Sequence, residues 1–103
     1  MGSRHIAVSI ALAATLLLFF TSATADDYQD ATRLLKQGKH SAALEKIEAV
    51  LASNPKDARA RFLKGLILPE DNKPQEAIKV FTSLTDDYPE LPEPYNNLAV
   101  LYA

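Results

Sequence analysis

The chain contains no cysteine and no tryptophan, and it has only two histidines, His5 and His40. The missing cysteine excludes disulfides, thiolate catalysis and thiolate metal ligation. With so few groups that titrate near neutrality, no nucleophile, base and orienting group fall together, so no catalytic residue is assigned and an enzyme is not expected. Basic charge is not in excess either: eleven Lys and Arg face thirteen Asp and Glu, a formal net charge of −2. A nucleic-acid binder needs a basic face to neutralise phosphates, so none is expected here. No cofactor or metal site is expected. Asp26, Asp27 and Asp30 cluster, but a calcium loop needs more oxygen ligands in a defined order, and helix-dipole complementation is the simpler role. At 103 residues the chain is long enough for one small domain.

What is present divides sharply near residue 25. Arg4 and His5 open the chain, residues 6–20 are apolar with no charge, and Ala23 and Ala25 form the A-x-A pattern of a signal-peptidase site. A membrane-spanning helix needs about 20 apolar residues. This run is shorter and ends in a cleavage pattern, so residues 1–25 read as a cleavable signal peptide and residues 26–103 as the mature domain. The alternative is an uncleaved N-terminal anchor. A lipid-anchored form is excluded because no cysteine follows the run. The membrane is then met only in transit, and the expected location is periplasmic or secreted. Arg4 is the only charged side chain in the leader, so the mature part keeps ten basic and thirteen acidic residues, a net charge of −3.

The mature part repeats at a period of 34 residues without gaps. Ala43 aligns with Ala77, Ile47 with Phe81, Val50 with Leu84 and Pro55 with Pro89. Ala31, Gly65 and Ala99 form a second register, and Leu34, Leu68 and Tyr102 a third. Within each copy, apolar residues recur at helical spacing in two runs, for example Ala43, Leu44, Ile47, Val50 and Leu51. Gly38 suits a reversal with positive φ, and Asn72 tolerates the same region at the equivalent turn. Asn54-Pro55 and Tyr88-Pro89 end helices, Asp57 is placed to cap one, and Pro74 suits a first turn. The predicted helices run over 27–37, 41–53, 57–68, 74–87 and 92–103, with Pro69 ending the third near Leu68.

These residues resemble the tetratricopeptide repeat. Tyr95, Leu98, Ala99 and Tyr102 match the pattern of that family's first helix. Ala77, Phe81 and Pro89 match its second helix, as do Ala43 and Pro55 with Ile47 in place of the aromatic. The final stretch from Leu91 also resembles exported bacterial members. The resemblance implies an all-α fold, a right-handed α-solenoid of helical hairpins: two complete repeats, about 24–57 and 58–91, plus the first helix of a third, 92–103. Ala31, Gly65 and Ala99 would lie where helices of a hairpin cross. Arg61 and Asp27 replace a favoured aromatic, which implies weaker outer packing.

The resemblance also implies a non-enzymatic interaction scaffold that binds a protein or peptide partner along the inner face of its first helices. By repeat position that face includes Tyr28, Thr32, Arg59, Phe62, Leu63, Leu66, Asn96, Asn97 and Val100. Asparagine can hold a peptide backbone through its amide donor and carbonyl acceptor, and Phe62 and Leu66 could take an apolar side chain. His40 is expected to be a turn residue, and Arg59, Arg61 and Lys64 a solvated basic face. The helix from residue 92 has the apolar pattern of an interior helix awaiting a partner, which implies a mature chain that is marginal alone and self-associates or leans on a partner through residues 95–103. The competing reading is a piece of a longer repeat protein without an independent function.

Overall fold

A computed structural model describes residues 25–103. The expected leader, apart from Ala25, lies outside the described residues, as does His5. The described residues form five α-helices: α1 (Ala25–Lys36), α2 (His40–Ser53), α3 (Ala58–Glu70), α4 (Pro74–Asp87) and α5 (Pro92–Tyr102). Each helix packs against the next, and α1 also touches α3. Connections of three or four residues leave room only for chain reversal, so neighbouring helices run antiparallel.

The turns show the 34-residue period in their hydrogen bonds. Gly38, at φ 76°, donates to the Leu35 carbonyl at 3.0 Å, and Lys39 donates to Leu34 at 2.9 Å. Asn72, at φ 60°, donates to Pro69 at 3.1 Å, and Lys73 donates to Leu68 at 2.8 Å. Both are the paired bonds that close a helix on a left-handed residue. The other joints repeat as well: Asn54 donates to Val50 at 3.0 Å before Pro55, and Tyr88 donates to Leu84 at 2.8 Å before Pro89.

One boundary differs from expectation. Pro69 does not stop α3 near Leu68; the helix runs through it to Glu70. Pro69 forfeits only its own donor. The last turn is closed by the amides of Asp71, Asn72 and Lys73 on the carbonyls of Ile67, Leu68 and Pro69, and none of those bonds needs an N–H from proline.

The core is two joined clusters. Tyr28, Ala31, Ala43, Ile47, Val50, Ala60 and Ile67 form one, with Leu34, Leu35, Leu44, Leu51 and Leu63 around it. Leu68, Ala77 and Phe81 form the other, with Phe62, Leu66, Val80, Leu98 and Leu101 around it. Ala31, Ala43 and Ala77 have no exposed surface, as expected where backbones approach closely. Ala99 departs from its register-mates Ala31 and Gly65: it is exposed, and nothing among the described residues covers that side of α5.

Asp57 caps α3 by accepting the Ala60 N–H at 2.9 Å, and its other oxygen accepts the Tyr28 hydroxyl. One carboxylate therefore closes a helix start and ties α1 to α3. Asp57→Ala is expected to cost about 1–2 kcal/mol, the loss of a cap with a phenol left without its partner, read from urea unfolding. Asp57→Asn should recover part of that loss.

Candidate functional site: the groove between α1 and α3

The site is built from the exposed sides of two neighbouring first helices. Gln29 and Arg33 of α1 and Gln37 of the turn after it stand four residues apart, and Thr32 and Lys36 form a second row, so all five share one face. Together with Arg59 of α3 they line an open groove of about 500 Å³. Arg59 lies across Tyr28, its guanidinium carbon 4.4 Å from the ring centre, within cation–π range. Tyr28 is fixed from its other end by Asp57. That hydrogen bond, then burial and the nearby carboxylate charge, push the Tyr28 phenol above its ordinary value near 10. The neutral donor is the form the fold favours, so this contribution is present below pH 10 and fades as pH rises through the raised value.

The expected groove residues are placed unequally. Thr32 and Arg59 line the groove, although the Thr32 hydroxyl donates to the Tyr28 carbonyl at 2.9 Å. Tyr28 itself requires correction: it is 9% exposed and belongs to the core, acting on the groove through Arg59. Phe62 packs edge-on to Phe81 with ring centres 5.7 Å apart, and Leu66 packs on the same cluster; both are half-buried. Leu63 packs against the first cluster. Asn96 is exposed, Asn97 donates from Nδ2 to the Glu93 carbonyl at 2.9 Å, and Val100 is 74% exposed. Sequence reasoning missed Gln29, Arg33, Lys36 and Gln37. One helical turn from Thr32 in each direction reaches Gln29 and Lys36, and steps of four from Gln29 reach Arg33 and Gln37.

A profile of the tetratricopeptide repeat matches residues 28–92. The chain belongs to the tetratricopeptide repeat family. No curated protein and no solved structure matches it. Tetratricopeptide repeats generally mediate protein–protein interaction, and the family is a non-enzymatic repeat module.

The outer side of this tetratricopeptide array corrects a second expectation. Arg61, Arg59 and Lys64 do not form a solvated basic face. Arg61 is 7% exposed; its Nη2 donates to Ser83 Oγ at 2.8 Å, and its Nη1 pairs with Asp87 Oδ2 at 2.8 Å. Its aliphatic stem fills the place of the favoured aromatic. Lys64 pairs with Glu48 at 2.7 Å. Lys56 donates to the same Asp87 oxygen at 3.2 Å, so Asp87 joins the α2–α3 turn and α3 to the end of α4. The acidic cluster near residue 26 is similarly tied in: Asp26 and Asp27 occupy the first turn of α1, and Asp30 pairs with Arg33 and with Lys46 at 3.1 and 3.5 Å. His40 begins α2 and is half-buried. Among the described residues no cluster of acidic and histidine side chains is placed to hold a metal, and no helix is long and apolar enough to cross a membrane.

Lys56 first, and then Arg61, hold the Asp87 carboxyl below its ordinary value near 3.8. A depressed carboxylate stabilises the fold above its unfolded value, and that contribution is lost as pH falls through the folded one. Melting temperature followed from about pH 5 to about pH 2 should therefore fall less steeply for Asp87→Asn than for the parent.

Proposed function

We propose that this chain is a non-enzymatic protein-binding scaffold, working in the periplasm or outside the cell after export through a cleavable leader. The observation that carries the binding reading is the open groove between α1 and α3, lined by side chains of those first helices and of Gln37 in the turn after α1. Its surface is polar and charged, and it is supported from beneath by a packed core. The absence of a nucleophile–base pair in the sequence supports a non-catalytic role, and the net acidity of the mature part disfavours nucleic acid. The uncharged run of residues 6–20 followed by Ala23 and Ala25 supports export.

A bulky side chain in the groove tests the binding reading. Thr32→Trp should abolish capture of the partner while leaving the melt unchanged, and Gln75→Trp, outside the groove, should do neither. Equal capture by both variants would contradict it. Mass spectrometry of the exported chain tests the leader: the expected N-terminus is Asp26, and an intact Met1 in the membrane fraction would contradict cleavage.

The exposed side of α5 favours a second contact. Gly65 and Leu68 are buried on α3, whereas their counterparts Ala99 and Tyr102 are bare on α5, Tyr102 at 70% and Tyr95 at 46%. Tyr95, Ala99 and Tyr102 form a stripe at three–four spacing with a small residue at its centre. A two-fold contact brings the same patch of both copies together, and a second copy of the chain is the occupant this reading puts to the test. Leu101 packs inward on the second cluster, so the contact is tested at the exposed Tyr102. Tyr102→Lys should shift sedimentation toward monomer. A parent that sediments as a monomer at every concentration would contradict the contact.

A further inference from the structure

We propose that the α1–α3 groove takes an acidic peptide segment, its carboxylates held by Arg33, Lys36 and Arg59. This inference rests on the protein-binding reading and adds the partner's chemistry. Three cations line the groove, and no carboxylate does. The chain as a whole is acidic, so this concentration is local rather than a general property. Elsewhere the balance reverses: Asp86, Asp87, Glu90 and Glu93 crowd the turn between α4 and α5.

The cations are set out for carboxylates. Arg59 is held against the Tyr28 ring, and that ring is held by the carboxylate that caps α3. Part of the entropy of ordering the guanidinium is therefore spent before a ligand arrives. Its edge keeps donors in the fork geometry that fits a carboxylate. Arg33 pairs with Asp30 from a side chain that is 61% exposed, a contact that a ligand carboxylate can replace at little cost. Gln29 and Gln37 supply amide donors and acceptors suited to a peptide backbone. They stand eight residues apart, one on α1 and one just past its end, about 12 Å at the helical rise, the length of about four residues of extended peptide.

The test uses the full chain and two labelled peptides, one alternating Asp and Glu, the other the matching Asn and Gln sequence, read by fluorescence anisotropy at about 0.15 M salt. The acidic peptide should bind about tenfold tighter or better than its neutral counterpart, with affinity falling as salt rises. Lys36→Gln/Arg59→Gln should weaken it by about tenfold. Lys73→Gln/Lys79→Gln, which removes the same charge outside the groove, should leave it within about twofold. All four side chains are exposed, so each double variant should keep the parent's melt. Equal affinity for both peptides, no binding of either by the folded chain, or equal weakening by both double variants overturns the proposal. Partner capture at the groove by another chemistry would still leave the binding reading standing.

Discussion

Phe81→Ala is expected to lower stability by about 3–5 kcal/mol, the range for removing a large aromatic from a packed core. Phe81 is 1% exposed and belongs to the second core cluster, where α3 and α4 meet. It also supports Phe62 through their edge-on contact. A chain of this size has roughly 5–15 kcal/mol of folding stability, so the change removes a large share of it. Urea unfolding should show the midpoint falling sharply. Phe81→Leu, which keeps most of the apolar volume, should fall by less than half as much. An alanine variant within about 0.5 kcal/mol of the parent, the range of ordinary surface substitutions, would mean that α3 and α4 do not pack in this register.

Gly65→Leu is expected to cost about 3 kcal/mol, the upper part of the overpacking range. A Cβ at position 65 would stand 2.4 Å from Phe81 Cζ and 2.6 Å from Cε1. The ring is buried, at 1% exposed. Glycine is normally a liability inside a helix, by about 1 kcal/mol against alanine. Gly65→Ala therefore combines a gain in helix propensity with a clash, and should fall between parent and leucine. The clash is with one ring, so it should be coupled to it: Gly65→Ala should cost less in a Phe81→Leu background than in the parent. Additive losses would show that position 65 is constrained by something other than Phe81.

Much of this arrangement is legible in the sequence because repetition multiplies weak signals. A single alanine or proline says little, whereas Ala43 with Ala77 and Pro55 with Pro89 at one spacing define both the helices and their ends. Gly38 and Asn72 were readable as turns because few residues tolerate positive φ. Pro69 was misread because its rule concerns one lost donor, while the end of α3 is set by bonds from the three residues beyond it. Arg61 was misread because a charged side chain on a helix looks solvated until its partners are known, and Ser83 and Asp87 are more than twenty residues away. Tyr28 was misread for the opposite reason: repeat position placed it on the inner face, but a ring with a hydroxyl is better satisfied between the core and Asp57. The groove cations were partly hidden too. Arg33 and Lys36 share the face of Thr32, but helical spacing alone does not say which polar face a neighbouring helix leaves open.

The lack of native cysteine gives binding through the groove a direct test. A single cysteine at Gln29, Gln37 or Gln75 carries a photo-crosslinker at one defined place, and irradiation in cells that produce the chain followed by mass spectrometry identifies what it touches. The expected result is one protein adduct common to positions 29 and 37 and absent from position 75. Adducts from position 75 with none from 29 or 37, or no adduct from any position, would contradict it.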